Sequence, residues 1–195
     1  FGIVADPKAK RGEQQGAWRY PTSGGTRWKA WNRQGKPKYW HSRGFQSSEL
    51  LYGIDDVPEG TDTVYRVNGE PSVWVCRQAG IPAVASIGEA NFSESHARQL
   101  ADKGVRHVRV VLDLDPAGAR ATVTSLALLR KAGLVASAGQ LPLHIGYKGD
   151  VCDLYQWNKC LDKPFAAELA GLAERVLPSD DPLAGTQYAI RRNRF

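Results

Sequence analysis

The sequence predicts an α/β fold, a parallel sheet flanked by helices, preceded by a small basic β-rich subdomain. Two observations predict it. From residue 61 onward, short apolar runs alternate four times with helical patterns, which is typical of a parallel sheet covered by helices. Before residue 60, glycines break the chain into short pieces in which basic and aromatic residues are interspersed. We therefore expect three segments: residues 1–60, residues 61–157, and a C-terminal helix and basic tail over residues 158–195.

The first segment contains the chain's main excess of basic over acidic residues. Ten lysines and arginines lie between Lys8 and Arg43 against one acid, Glu13, whereas the rest of the chain holds sixteen basic and nineteen acidic residues. Four of the six tryptophans lie in the same segment. Basic side chains neutralise phosphates and aromatic rings stack on unpaired bases. We expect nucleic-acid contacts from Arg27, Trp28, Lys29, Trp31, Arg33, Lys36, Lys38, Trp40 and Arg43. The alternative is that the rings form the core of a small β module, with the lysines solvated outside it.

Two turns are expected in the first segment, at residues 23–25 and 34–36. In the second segment, the strands are predicted at residues 63–67, 81–85, 105–112 and 134–138. Helices are predicted between them, over residues 71–79, 91–103 and 116–129, and a further one over residues 163–176. The starts rest on Pro71, on Asn91 with Glu94 three residues later, and on Pro116; Gly80, Gly104 and Gly133 mark the ends.

Acidic residues follow the third predicted strand. Asp113 and Asp115 stand two apart where the chain leaves the sheet, and the carboxyl ends of strands are where such sheets bind ligands. Hard oxygen ligands suit Mg²⁺ or Mn²⁺, and these ions hold phosphates. A second acidic cluster, Asp150 and Asp153, comes later in the chain. The alternative for Asp115 is a helix cap, because it directly precedes a proline at a helix start.

Three motifs together resemble a known family. Residues 64–72 (VYRVNGEPS), 110–118 (VVLDLDPAG) and 149–154 (GDVCDL) resemble, in order and spacing, the three motifs of the TOPRIM fold. The version is that of the catalytic core of bacterial-type (DnaG-like) DNA primases and phage primase-helicases. The basic region ahead is similar in placement to the part of that core that helps hold template.

The resemblance implies synthesis of short RNA primers on single-stranded DNA from nucleoside triphosphates, with Mg²⁺ or Mn²⁺ as cofactor. It implies Asp113 and Asp115 as metal ligands, with Asp150 and Asp153 as supporting acids. Arg120 and Lys148 are further candidates for phosphate contacts. It also implies a helicase or zinc-ribbon domain as partner, in the same longer chain or complex.

The first motif departs from the family pattern E-G-x-x-D. This chain has Asn68 and Ser72 at the two acidic positions. Asn68 retains an oxygen acceptor but cannot take up a proton near neutral pH. Glu70 is the candidate to substitute for the missing carboxylate, although its position belongs to the turn into the next helix. The sequence leaves open whether Asn68 is natural or introduced.

Two alternatives follow. One is a degenerate TOPRIM module that binds single-stranded nucleic acid or a replication partner without catalysis. The other is a different TOPRIM activity, topoisomerase or nuclease, for which no tyrosine stands in a recognisable context. The composition (42% hydrophobic, 24% charged) is that of a globular domain, and no apolar window is long enough to cross a membrane. Three cysteines form no disulfide framework or zinc pair. We therefore expect a cytoplasmic protein and, because it begins with Phe1 and lacks methionine, an excised piece of a longer one.

Overall fold

The computed structural model describes residues 3–11, 14–22, 25–31 and 37–175. The chain divides into two compact units, residues 1–50 and 51–195. The division falls before residue 60 because the short strand that follows residue 50 pairs with the sheet of the second unit. No described helix is long and apolar enough to cross a membrane.

The first unit is an antiparallel sheet. Its described strands are β1 (Val4–Arg11), β2 (Gln14–Thr22), β3 (Gly25–Ala30) and β4 (Tyr39–His41), and they pair in chain order. Thr22 pairs with Gly25 at the end of the β2–β3 ladder. Residues 23–24 of the first predicted turn and residues 34–36 of the second lie outside the described residues. A small core of Ala17, Ala30 and Trp40 lies on one face of the sheet.

The second unit is a five-stranded sheet flanked by helices; its four parallel strands were predicted, and the short antiparallel strand at its edge was not. Its strands are β5 (Leu51–Tyr52), β6 (Thr63–Arg66), β7 (Ala83–Ser86), β8 (His107–Val110) and β9 (Val135–Ala138), in the order β5-β7-β6-β8-β9. β5 is antiparallel to β7, and the other pairs are parallel. The helices are α1 (Glu70–Gln78), α2 (Glu94–Asp102), α3 (Pro116–Lys131), α4 (Val151–Cys160) and α5 (Phe165–Ala170).

The strand order reverses between β6 and β8. The chain runs from β6 outward to β7, then crosses back to β8 and continues to β9. Right-handed crossovers then place α1 on one face of the sheet and α2 and α3 on the other. The packing agrees, because α2 contacts α3 while α1 contacts α4. The loops after β6 and β8 therefore leave the sheet side by side, at the point where open α/β sheets bind ligands.

Alternating apolar residues produce this core. Val64, Val84, Val108 and Val110 are fully buried at the centre of the sheet, and Leu129 of α3 packs into the same cluster. In β6 and β8 every second residue is buried, whereas all four residues of β7 are buried.

The boundaries of two predicted helices were wrong. α2 is capped by Ser93, whose hydroxyl accepts from the backbone N–H of His96. Asn91 instead lies in a 3-10 turn, and its amide donates to the carbonyl of Ile87. The C-terminal helix spans Phe165–Ala170 rather than residues 163–176, because Pro164 precedes it and Gly171 ends it. Residues 176–195, including the predicted basic end, lie outside the described residues.

Candidate active site

Three loops meet at the carboxyl edge of the second sheet. The first follows β6 and contains Asn68, and the second follows β8 and contains Asp113 and Asp115. These two are neighbours because β6 and β8 are hydrogen-bonded parallel strands. The third loop precedes α4 and contains Asp150. Backbone hydrogen bonds join the second and third loops: the N–H of Leu114 donates to the carbonyl of Gly149 (3.0 Å), and the N–H of Lys148 donates to the carbonyl of Leu114 (3.2 Å).

A buried arginine fixes the backbone at Asp113. The guanidinium of Arg175 donates to the carbonyl of Leu112 (3.2 Å) and to that of Asp113 (3.1 Å), and the residue is only 4% exposed. Charged donors make stronger hydrogen bonds than neutral ones, and burial strengthens them further. The half-buried Asp113 is therefore positioned by a residue 62 positions later in the chain. Sequence analysis missed Arg175, because a lone arginine after a short helix carries no motif.

Asp115 caps helix α3. One of its carboxylate oxygens accepts from the backbone N–H of Gly118 (2.8 Å), and Pro116 stands at the start of the helix. The helix-cap interpretation of Asp115 is thus observed. Its other carboxylate oxygen is not needed for this bond, so a cap and a metal ligand are compatible roles for one aspartate.

The third loop is closed by a reciprocal cap. Oδ1 of Asp150 accepts from the backbone N–H groups of Cys152 (2.7 Å) and Asp153 (3.0 Å), while Oδ2 of Asp153 accepts from the N–H of Asp150 (2.9 Å). Lys148 adopts a left-handed conformation (φ 63°), and a side chain at Gly149 would lie 2.6 Å from Cγ1 of Ile145. Both acids of this motif therefore hold the start of α4.

The departures from the first motif lie at the junction with the third. The hydroxyl of Ser72 donates to Oδ1 of Asn68 (2.7 Å), and Nδ2 of Asn68 donates to Oδ2 of Asp150 (3.4 Å). The Ser72 oxygen also lies 3.5 Å from the sulfur of Cys152. Two uncharged residues thus join the first and third motifs through hydrogen bonds. Both oxygens of Asp150 accept hydrogen bonds from the protein, so it acts here as a structural anchor.

The negative charges at this edge of the sheet affect the pKa of the Cys152 thiol. Burial, followed by the negative charge of Asp150, raises the pKa of its thiol to about 12, and the charges of Asp153 and Asp113 act in the same direction. The hydrogen bond with Ser72 opposes the shift but does not cancel it. The thiol is therefore neutral at physiological pH. Carboxylates from the second and third motifs act on the same buried atom.

Glu70 lies in a different environment. It is 4% exposed in the first turn of α1, where a carboxylate complements the helix dipole. Its charge contributes to the raised pKa of Tyr52 on β5, a shift due first to burial of the phenol. Two strands, β7 and β6, separate β5 from β8 in the sheet. Tyr52 therefore lies on a strand remote from the one that precedes Asp113.

The described residues that were predicted to contact nucleic acid fall into three groups. Arg27, Lys29 and Lys38 surround the ring of Tyr39 at 3.9, 5.9 and 5.3 Å from its centroid. Trp28 and Trp40 stack with centroids 6.5 Å apart in the core of the first sheet, so the alternative interpretation describes these two rings. Exposed positions are taken by Trp31, Arg43, Arg120 and Lys148. Arg33 and Lys36 lie outside the described residues.

The carboxylates at this edge of the sheet differ in how well they suit a divalent metal ion. Among the described residues, no three Asp, Glu, His or Cys side chains converge as a ready-made metal cage. Hydrated Mg²⁺, however, is commonly bound by one or two carboxylates, with water and substrate phosphates completing the shell. Asp113 and Asp115 supply donors of this kind, whereas Asp150 and Asp153 are engaged in the α4 cap. The donor set therefore fits a hydrated divalent ion better than an enclosed one.

Known proteins resemble part of this chain in sequence. Residues 72–155 match the Toprim-like family model, so the second unit contains a Toprim-like domain. The matched range includes the second and third motifs and begins just after Asn68. A curated DNA primase from Deinococcus radiodurans is 36% identical over 98 residues, which are 47% of this chain and 17% of that protein.

Solved structures show the same fold. A structure of the Aquifex aeolicus primase comprising its zinc-binding and RNA polymerase domains has a TM-score of 0.65 and 20% identity, covering 88% of this chain and 45% of that one. A DnaG primase catalytic domain bound to single-stranded DNA has a TM-score of 0.65 and 21% identity, covering 87% and 56%. The chain therefore spans about half the length of these two solved chains. The expected resemblance to the TOPRIM-fold core of DnaG-like primases is confirmed.

Proposed function

We propose that this chain is part of the catalytic core of a DNA primase, which makes short RNA primers on single-stranded DNA. The observation that carries the proposal is the position of Asp113 and Asp115: they follow β8 at the switch point of a Toprim-like sheet. Phosphoryl-transfer sites place their metal-binding carboxylates at such an edge, where substrate phosphates can approach from solvent. The basic first unit supports a polyanionic template. A helicase or zinc-ribbon partner domain remains part of the proposal, by analogy with the relatives.

In the proposed site, Asp113 and Asp115 would hold Mg²⁺ or Mn²⁺, which supplies charge stabilisation for nucleotidyl transfer when bound. Arg175 keeps the Asp113 backbone in place, while Asp150 and Asp153 fix the third loop. Asn68 orients Asp150 but takes no proton, so residue 68 does not serve as general base. We assign Glu70 a role in helix α1 rather than in the reaction, because its side chain is buried in the first turn of that helix.

The test is incorporation of labelled ribonucleotides on single-stranded DNA with Mg²⁺ or Mn²⁺. We expect Asp113→Asn to lower incorporation by about 100-fold or more, because a metal ligand contributes several kcal/mol. The matched control is Asp102→Asn, an exposed acid at the end of α2, which should leave the rate unchanged. Thermal melting of both variants separates a catalytic loss from unfolding.

Asn68→Glu, assayed beside them, determines whether the first motif limits the rate. Incorporation by the parent chain that Asp113→Asn abolishes supports the proposal and shows that Asn68 is tolerated. Incorporation only after Asn68→Glu identifies a primase scaffold that lacks one carboxylate. If both chains fail while single-stranded DNA still binds without metal, the proposal is overturned in favour of a binding module.

A further inference from the structure

The first sheet sorts its large side chains onto two faces. Residues paired across antiparallel strands lie on the same face, and neighbours along a strand lie on opposite faces. Arg19, Trp28 and Trp40 form one row across β2, β3 and β4. Trp18, Lys29 and Tyr39 form the adjacent row, which therefore lies on the other face.

The first of these faces is the core of the unit. Trp40 is 6% exposed and packs with Ala17 and Ala30, and Trp28 joins them. The indole N–H of Trp28 donates to Oδ2 of Asp6 at 3.4 Å. Trp40 is therefore enclosed by protein contacts, and Trp28 is partly buried among them.

The second face presents tryptophans to solvent. Trp18 is 45% exposed, and Trp31, which directly follows β3, is 49% exposed. The Trp31 ring lies against Gly16, where even a Cβ would come within 2.7 Å of the ring. Gly16 stands two positions before Trp18 on β2, so the Trp31 ring lies against the same strand that carries Trp18. Lys29 lies directly across from Trp18.

We propose that this open face, defined by Trp18, Lys29 and Trp31, is a platform for the unpaired bases of single-stranded DNA. It rests on the proposed function and extends it to Trp18, which the sequence did not single out. Exposed indoles can stack on any unpaired base, whereas duplex bases already stack on each other. The charge of the surrounding segment favours a nucleic acid as the ligand, because residues 8–43 carry ten basic residues against one acid. A neutral apolar partner would leave that charge uncompensated.

The experiment measures binding of the whole chain to a labelled oligothymidine and to an abasic strand of the same length, by fluorescence anisotropy. We expect Trp18→Ala and Trp31→Ala each to weaken oligothymidine binding by about tenfold, since stacking is lost. The abasic strand has a backbone but no bases. It should bind the parent more weakly than oligothymidine and should bind both variants about as well as it binds the parent.

Matched variants separate stacking from charge and from folding. Trp157→Ala removes an equally exposed tryptophan (43%) from α4 and should leave binding unchanged. Lys29→Ala should weaken both strands alike and reduce the salt dependence by about 0.7 in the log–log slope, whereas Trp18→Ala should leave that slope unchanged. Trp18→Phe keeps a ring and should retain most of the affinity.

The proposal is overturned if the tryptophan variants bind oligothymidine like the parent. It is also overturned if they lose affinity equally for the abasic strand, because this would mean a damaged fold or a lost backbone contact. Preference for a duplex of equal length over the single strand would contradict it as well. These readouts need neither metal nor catalysis, so a negative primer-synthesis assay leaves the binding result interpretable.

Discussion

The two units bury their hydrophobic residues in different ways, and their candidate functions follow from that difference. The first sheet has a described core of Ala17, Ala30 and Trp40 on one face, whereas Trp18 on its other face is 45% exposed. The second sheet is covered by helices on both faces, so only the loops at its edges are open to ligands. A one-sided sheet can offer a broad surface, whereas a two-sided sheet offers a narrow edge at which a few side chains converge.

The comparison is tested most strongly by removing one core side chain from each unit. Trp40→Ala and Leu129→Ala should each cost about 2–5 kcal/mol of unfolding free energy. The smaller first core should not survive this loss, so amide hydrogens of β1–β4 should exchange rapidly in Trp40→Ala while those of β6–β9 stay protected. Leu129→Ala should lower the protection of the second sheet. Simultaneous loss of protection in both units of the Trp40→Ala variant would mean that they unfold as one.

Arg175 tests how the edge of the second sheet is held. Arg175→Leu keeps much of the side-chain volume but removes the donors to the carbonyls of Leu112 and Asp113. We expect a loss of about 1–3 kcal/mol in unfolding free energy, because buried acceptors lose their partner. Primer synthesis should fall as well. Arg130→Leu is the control, because Arg130 is exposed and donates to the carbonyl of Ala136 away from the loops. Equal effects of the two substitutions would argue against a positioning role for Arg175.

Asn68→Asp examines the uncharged junction between the first and third motifs. The substitution replaces the amide donor by a second carboxylate facing Asp150. We expect a loss of about 1–2 kcal/mol near pH 7 that becomes smaller as pH falls, because protonating either carboxylate removes the repulsion. Mn²⁺ should also restore stability by binding between the carboxylates. Asn91→Asp loses an amide donor in a 3-10 turn and should gain nothing from Mn²⁺. Absence of any Mn²⁺ effect on Asn68→Asp would place the two side chains apart in solution.

The cysteines give the smallest effects, one on thiol reactivity and one on stability at high pH. Burial raises the pKa of both Cys76 and Cys152 to about 12, whereas Cys160 is exposed. At pH 8, iodoacetamide should therefore modify Cys160 first, because the thiolate is the reactive form. In the unfolded chain the thiols of Cys76 and Cys152 ionise near pH 9, whereas in the folded chain they ionise at higher pH. The free energy of unfolding therefore falls as pH rises from about 9 toward 12. Mass spectrometry of modified peptides and melting curves at pH 8 and 10 measure both effects.

The repeating pattern of the second unit could be predicted from the sequence. Val64, Val84 and Val108 belong to apolar runs separated by helical patterns, and helix starts such as Pro116 follow local rules. Local rules also explain why the predicted start of α2 was wrong. Asn91 and Ser93 are both residues that cap helices, and the choice of Ser93 rests on His96 completing the capping box.

The candidate site could be predicted only in part from the sequence. Asp113 and Asp115 were identified because they follow a buried strand, and the position of a strand end is a property of the local chain. Their environment depends on partners remote in sequence: Arg175 bonds to the backbone of Asp113, and Asn68 bonds to Asp150 across 82 positions. Similarly, composition indicated a basic aromatic surface, but the pairing of β2 with β3 and β4 decided which rings are exposed.

By itself, the sequence determined the alternation of strands and helices, the order of the three motifs and the separation of basic from acidic residues. Each of these depends on neighbours within a few positions along the chain. Tertiary structure alone decided that Trp18 and Trp31 are exposed while Trp40 is buried, that Asp150 anchors a helix, and that Glu70 is buried. The physical reason is that burial and hydrogen-bond partners are set by strand register and packing, which bring distant residues together.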